Sequence, residues 1–224
     1  GVVTLFTMPR PDWQGQKAAW WQALVKAATV VECDPVERAQ LPQWLAGRMR
    51  ANGQTAARDV LEAFADLVEG NLLAAKQEVG KLSLLFPQGE LTLEQIEASV
   101  GNCSRYTTEA LVESFCTASA DRTARIVDGL EAQGEPLPFL LAILTNQIRS
   151  LIKLRASFET SGNLYVKGVF ATNAMKAAAR RIPLKRLAAA LDVCADIDRL
   201  SKGLSVRERD GDPWIELKSV CLFL

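Results

Sequence analysis

The chain has 224 residues, of which 26 are basic and 26 acidic, so its formal net charge is zero, and 49% of its residues are hydrophobic. That is apolar material enough for one or two domains with real cores, and neutrality gives no whole-chain pull toward nucleic acid or an anionic membrane. Histidine is absent altogether, which removes the commonest general base, nucleophile activator and metal ligand at once.

Val2-Val3-Thr4-Leu5-Phe6 is apolar and β-rich and predicts a strand, ended by Met8-Pro9-Arg10-Pro11. Gln16 to Ala28 predicts an amphipathic helix with Ala19, Trp20, Ala23, Leu24 and Ala27 inward, and Thr29-Val30-Val31-Glu32-Cys33 predicts a second strand. Strand, helix and strand in so short a span suit a parallel βαβ unit, which normally belongs to a larger sheet covered on both faces. Residues 1–33 are therefore expected to be the end of an α/β domain that begins upstream.

From Asp34-Pro35 onward the pattern is helical. Asp34 as N-cap, Pro35 at the first helical position and Glu37 at the third predict a helix continued by Leu41, Trp44, Leu45 and Arg48, with Pro42 shortening or kinking it. Asn52-Gly53 is a turn, and Thr55 is expected to cap a helix reaching Glu69. Gly70 follows the periodic run Val60, Leu61, Phe64, Leu67, Val68, where a residue without a Cβ enters the left-handed region freely. Asn71 then caps a helix with Leu72, Ala75, Val79, Leu82 and Phe86 on the buried face and Lys76, Gln77 and Lys81 on the wet one. Phe86-Pro87-Gln88-Gly89 stops it, and Thr92 with Gln95 caps a short helix ending near Val100-Gly101.

Beyond Cys103 longer helices are predicted: Thr107 or Thr108 to Ala118, Asp121 to Gln133, Pro136 to about Phe158, Leu164 to Arg181, Leu184 to Lys202 and Pro213 to Leu224. The uninterrupted apolar run Leu137 to Leu144 is well short of the roughly 20 residues that span a bilayer, so a buried bundle helix is expected. Leu184, Leu187, Leu191, Cys194, Ile197 and Leu204 are expected to keep one face of the next helix dry, with Gly203 closing it. Asp192, Asp196 and Asp198 are followed by Arg199 and Lys202, which reads as a solvated ion-pair face rather than a metal or acid/base site. Five cysteines without a C-x-x-C pair read as free, mostly buried thiols. Asn102-Cys103-Ser104 matches a glycosylation sequon that a cytoplasmic protein would not use. No catalytic constellation, cofactor site or metal site stands out, and neither Gly-x-x-x-x-Gly-Lys-Ser/Thr nor Gly-x-Gly-x-x-Gly occurs.

The wording Glu69-Gly70-Asn71-Leu72-Leu73-Ala74, followed by Glu78, Lys81, Leu82 and Gly89-Glu90-Leu91-Thr92, closely resembles the delta subunit of the bacterial DNA polymerase III clamp loader. The likeness extends upstream through Ala39-Gln40-Leu41-Pro42-Gln43-Trp44 and Lys17-Ala18-Ala19-Trp20, and downstream to Trp214-Ile215-Glu216-Leu217. It implies a mostly α fold: a strand-helix-strand remnant of an α/β ATPase-like domain at 1–33, a small helical lid at 34–102, and a helical-bundle collar for oligomerisation at 103–224. It also implies a cytoplasmic, non-catalytic accessory subunit of a DNA-directed DNA polymerase (nucleotidyltransferase) holoenzyme, with no working nucleotide site. Its partners would be the ATPase (gamma/tau) subunits, the delta-prime subunit, the beta sliding clamp, gripped mainly by a preceding N-terminal domain, and primer–template DNA. Another clamp-loader-like ATPase subunit whose nucleotide site lies upstream, and an unrelated helical scaffold, are the alternatives.

Charge is unevenly placed. Between Thr145 and Arg186 stand Arg149, Lys153, Arg155, Lys167, Lys176, Arg180, Arg181, Lys185 and Arg186 against the single acid Glu159. Around Tyr165 and Phe170 such a surplus could attract a phosphate backbone, with an aromatic to stack on an unpaired base; on the residues alone the favoured reading is wet helix faces over core aromatics. The resemblance puts an aromatic in this segment, facing the primer–template junction, and Phe170 stands where relatives often carry the Trp of a Val-Trp pair. Phe170, Lys167, Arg180 and Arg181 are the DNA-binding candidates.

Overall fold

The computed structural model of the protein describes residues 2–101, 103–207, 209 and 211–224; the sequon's Asn102 lies outside them. Gly1–Pro35 and Val36–Leu224 form two compact units.

In the first unit a 3-10 turn at Gly15–Lys17 precedes α1, Ala19–Ala27. The two expected strands do not form. An extended segment becomes a strand when its N–H and C=O groups meet a neighbour's, and neither 2–6 nor 29–33 finds one among the described residues. Val2, Val3 and Leu5 stand exposed. The βαβ unit is therefore corrected to one helix between unpaired extended segments. None of α1 is buried, and Trp20, expected inward, is exposed. The Lys17 ammonium lies 3.3 Å from the Trp13 ring centroid, and Arg10 reaches Glu32 at 3.7 Å and Asp34 at 3.6 Å.

The second unit opens with α2 (Leu41–Ala51), α3 (Arg58–Val68), α4 (Leu72–Leu85) and α5 (Leu93–Ser99). α2 starts at Leu41 rather than at Pro35, because Pro42 then falls in the first turn, where its missing N–H is no loss. A helix running from Pro35 would have set the Pro42 ring against the carbonyl of Arg38. Gly70 has φ +76°, and the Asn71 side chain accepts from the Ala74 N–H at 3.1 Å, so the corner between α3 and α4 is built as expected. Thr92 and Gln95 form a reciprocal capping box at the start of α5. Thr55 caps nothing: it lies in β1 (Gln54–Ala56), paired in parallel with β2 (Gly89–Leu91) in the register Gln54 to Gly89 and Ala56 to Leu91. Gln54 is buried, and its amide N–H groups donate to the carbonyls of Leu82 and Phe86, both at 3.1 Å, tying the strand to the end of α4. Leu45, Met49, Phe64, Val68, Leu82 and Ile96 centre this core.

A second core begins at Tyr106 and is built by α6 (Thr108–Cys116), α7 (Ala120–Ala132), α8 (Leu137–Ser161), α9 (Asn173–Arg181), α10 (Leu184–Ser201) and α11 (Pro213–Phe223). α8 runs through its middle, packed by α6, α9 and α10. By length and composition alone α8 would cross a membrane, but Leu140, Leu144, Ile148, Leu151 and Leu154 are buried in this bundle. The expected helix from Leu164 to Arg181 is shorter: it starts at Asn173, where the Thr172 hydroxyl accepts from the Met175 N–H at 3.2 Å.

Candidate nucleic-acid interface

The segment between α8 and α9 is made of two turns. Gly162, at φ +69°, ends α8; Asn163 then accepts from the Tyr165 N–H at 3.0 Å, and the Val169 N–H closes onto the Val166 carbonyl at 3.0 Å with Gly168 at φ +83°. A turn of that kind requires a positive φ at its third residue, which glycine supplies. The consequence is a set of apolar feet under a polar and aromatic edge. Leu164 is buried and Val166 and Val169 pack against the second core, while Tyr165 and Lys167 face outward and Phe170 is 94% exposed.

The four sequence candidates do not form one cluster. Lys167 and Phe170 precede α9, whereas Arg180 and Arg181 end it, and eight residues of helix from Thr172 to Arg180 place them about 12 Å apart along the axis. Arg181 is spent on structure: its guanidinium donates to the carbonyls of Leu224 (2.8 Å), Phe115 (2.9 Å) and Cys116 (3.3 Å), the last two at the C-terminal end of α6. Arg155 similarly donates to the carbonyls of Ala179 and Arg180 and to Glu159. Lys167 and the Arg180 side chain make no ion pair among the described residues, and both are exposed. Lys167 and Phe170 stand exposed before α9, Arg180 at its end, and Arg149 and Lys153 on α8.

The other clusters are structural. Asp196 pairs with Arg199 (3.1 Å) and Arg209 (3.0 Å), and Asp198 with Lys202 (2.6 Å), which is the expected ion-pair face. The five thiols are free; Cys116, Cys194 and Cys221 are buried, Cys33 is exposed. Burial pushes Cys116 up to about 12 and Cys194 to about 11, and raises Cys221 as well.

One polar constellation escaped sequence reasoning. Arg38 meets Asp66 at 2.7 Å and Glu62 at 2.9 Å, and Arg122 meets Glu69 at 2.6 Å and Glu113 at 3.3 Å. Burial opposes both charges, yet the bonds to Asp66 and Glu62, and to Glu69 and Glu113, raise the two guanidinium pKa values above the ordinary one. The acids at 62, 66 and 69 share one helical stripe and the arginines at 122 and 125 another, a spacing signal that was there to be read.

No family model matches the chain. Among curated proteins it is similar to DNA polymerase III subunit delta of Escherichia coli (strain K12), 31% identical over 140 residues, or 62% of this chain and 41% of the relative. The subunit delta of Haemophilus influenzae is 28% identical over 125 residues, 56% of this chain and 36% of the relative. The chain is a homologue of DNA polymerase III delta subunits. These matches span less than half the length of the curated delta relatives. A solved Bacillus subtilis DNA clamp loader delta protein aligns with 93% of the chain and 62% of its own, at 21% identity and a TM-score of 0.47.

Proposed function

We propose that this chain is a non-catalytic part of a bacterial clamp-loader delta subunit, an accessory to the replicative DNA polymerase. The observation that carries this reading is the 31% identity with the Escherichia coli subunit delta over 140 residues. In it, residues 1–33 close an ATPase-like domain, 34–102 act as a helical lid, and 103–224 are the collar that packs against the ATPase (gamma/tau) subunits and delta-prime in a circular, cytoplasmic assembly. The assembly opens the beta sliding clamp and loads it on primed DNA. The separation of two apolar cores between Cys103 and Tyr106 supports the lid and collar division.

Within that assembly Phe170, Lys167 and Arg180 meet primer–template DNA, the exposed ring stacking on a base and the two cations meeting phosphates. Arg181, held by three carbonyls, serves the fold instead.

Size-exclusion chromatography with light scattering tests the assembly role: the chain, shown to be folded by circular dichroism, is mixed with the loader's ATPase subunit and delta-prime. A defined co-eluting complex is expected; a folded chain that stays monomeric in a series where a longer delta subunit, run alongside, co-elutes overturns the collar assignment. Phe170→Ala is expected to weaken the assembled loader's affinity for a primer–template junction several-fold; unchanged affinity removes Phe170 from the interface.

A further inference from the structure

Two neighbours in the chain are anchored in different cores. The Arg105 N–H donates to the Glu69 carbonyl at 2.7 Å, the Cys103 N–H to the Leu67 carbonyl at 2.9 Å, and Asn71 Nδ2 to the Cys103 carbonyl at 3.1 Å. The connecting segment is thereby stitched to the α3–α4 corner as far as Arg105. The next residue, Tyr106, is buried in the second core, its ring over Gly129 of α7. The covalent crossing between the cores is narrowed to one link.

Little apolar surface resists motion about that link. The two hydrophobic clusters share no member, and none of α2 to α5 packs extensively against any of α6 to α11. Charge bridges the gap instead. Arg122 of α7 reaches Glu69 at 2.6 Å, Arg125 reaches Asp66 at 2.8 Å, and Arg38 holds Asp66 from the first core. Arg38, Asp66, Arg122 and Arg125 line an open cleft of about 520 Å³ together with Ala118 and Ser119, and Glu69 lies buried outside its lining. Asp66–Arg125 is partly solvated and screened by salt, whereas Glu69–Arg122, its carboxylate buried, is screened less and depends on both charges being present.

We propose that Glu69–Arg122 and Asp66–Arg125 form an electrostatic latch across a hinge at Arg105–Tyr106. The two helical cores take a closed arrangement with the pairs made and an open one with the cleft hydrated, and salt or loss of one charge shifts the population toward the open state.

Single-molecule energy transfer tests this on the 224-residue chain, with dyes on encoded azide side chains replacing the exposed Lys81 of α4 and Lys153 of α8. Raising the salt from about 0.05 to about 1 M, or substituting Glu69→Gln, is expected to increase the population of a second transfer state several-fold while the helical circular dichroism holds. Lys202→Gln, which breaks the 2.6 Å pair with Asp198 elsewhere, leaves the distribution unchanged. A single distribution that neither salt nor Glu69→Gln moves overturns the latch. If Glu69→Gln does not fold, the salt series on the unsubstituted latch decides by the same criterion.

Discussion

Gly70 lies against the main chain of Arg105, so close that a Cβ on Gly70 would come within 2.0 Å of the Arg105 carbonyl oxygen. Its φ of +76° adds a second reason for glycine. Gly70→Ala is therefore expected to cost more than the roughly 1–2 kcal/mol of a left-handed L-residue, because the obstructing atom is backbone and cannot swing aside. Urea unfolding measures it, and a midpoint unchanged from the parent would contradict the corner as described.

Gly129 gives the opposite of the usual expectation for a glycine inside a helix. Propensity alone makes Gly→Ala stabilising by about 0.5–1 kcal/mol, but a Cβ here would meet the Tyr106 ring at 2.3 Å. Overpacking costs about 1–3 kcal/mol and should win. In a Tyr106→Ala background the ring is gone, and the same Gly129→Ala change should then stabilise. A double-mutant cycle reads the reversal of sign directly.

Arg180 and Arg181 are adjacent and should behave differently. Arg181→Met removes charge-assisted bonds to the carbonyls of Phe115, Cys116 and Leu224, an expected loss of about 1.5 kcal/mol, at the low end for bonds to charged groups because the side chain is partly solvated. Arg180→Ala should change stability by no more than about 0.5 kcal/mol. Thermal melts of the two variants separate a fold residue from a surface one before any DNA is added.

The two cores should fail separately. Phe64→Ala and Ile148→Ala each remove a fully buried side chain, at about 3–5 and 2–5 kcal/mol. Hydrogen exchange should show Phe64→Ala lowering protection over α2 to α5 while α8 and α10 keep theirs, and Ile148→Ala doing the reverse. Equal loss across both sets would mean one cooperative core.

Alkaline pH should destabilise the protein through its thiols. An unfolded thiol titrates near 9, while folded Cys194 and Cys116 hold their protons to about 11 and about 12. Above about pH 9 the unfolded chain therefore binds fewer protons than the folded one, and stability falls as pH rises toward the folded values, by at most about 1.4 kcal/mol per unit for each thiol. Urea midpoints between pH 8 and 11 follow the loss. Cys116→Ala should lower the midpoint throughout and flatten the slope; a slope unaffected by it would assign the alkaline loss to other groups.

What could be read from the sequence was local. The Gly70–Asn71 corner and the Thr92–Gln95 box are fixed by residues one to three apart, and both stand as expected. The β1–β2 pair was missed because each strand is three residues long and its partner lies 35 positions away, with no alternation to show it. The N-terminal strands failed for the related reason that composition names a candidate strand and not its neighbour. α9 was drawn too long by passing over Gly168 and Thr172, a turn residue and a cap in plain view. Among the DNA-binding candidates, sequence could not show that Arg181 is occupied, since its acceptors at 115 and 116 belong to a distant helix end.

Arg155 grips the last carbonyls of α9, including that of Arg180 itself. The backbone beneath Arg180 is held from the neighbouring helix while its side chain makes no ion pair among the described residues, so an anion that bound there would immobilise rotamers alone, an entropy loss of about 2 kcal/mol at most, with no further loop or helix to freeze.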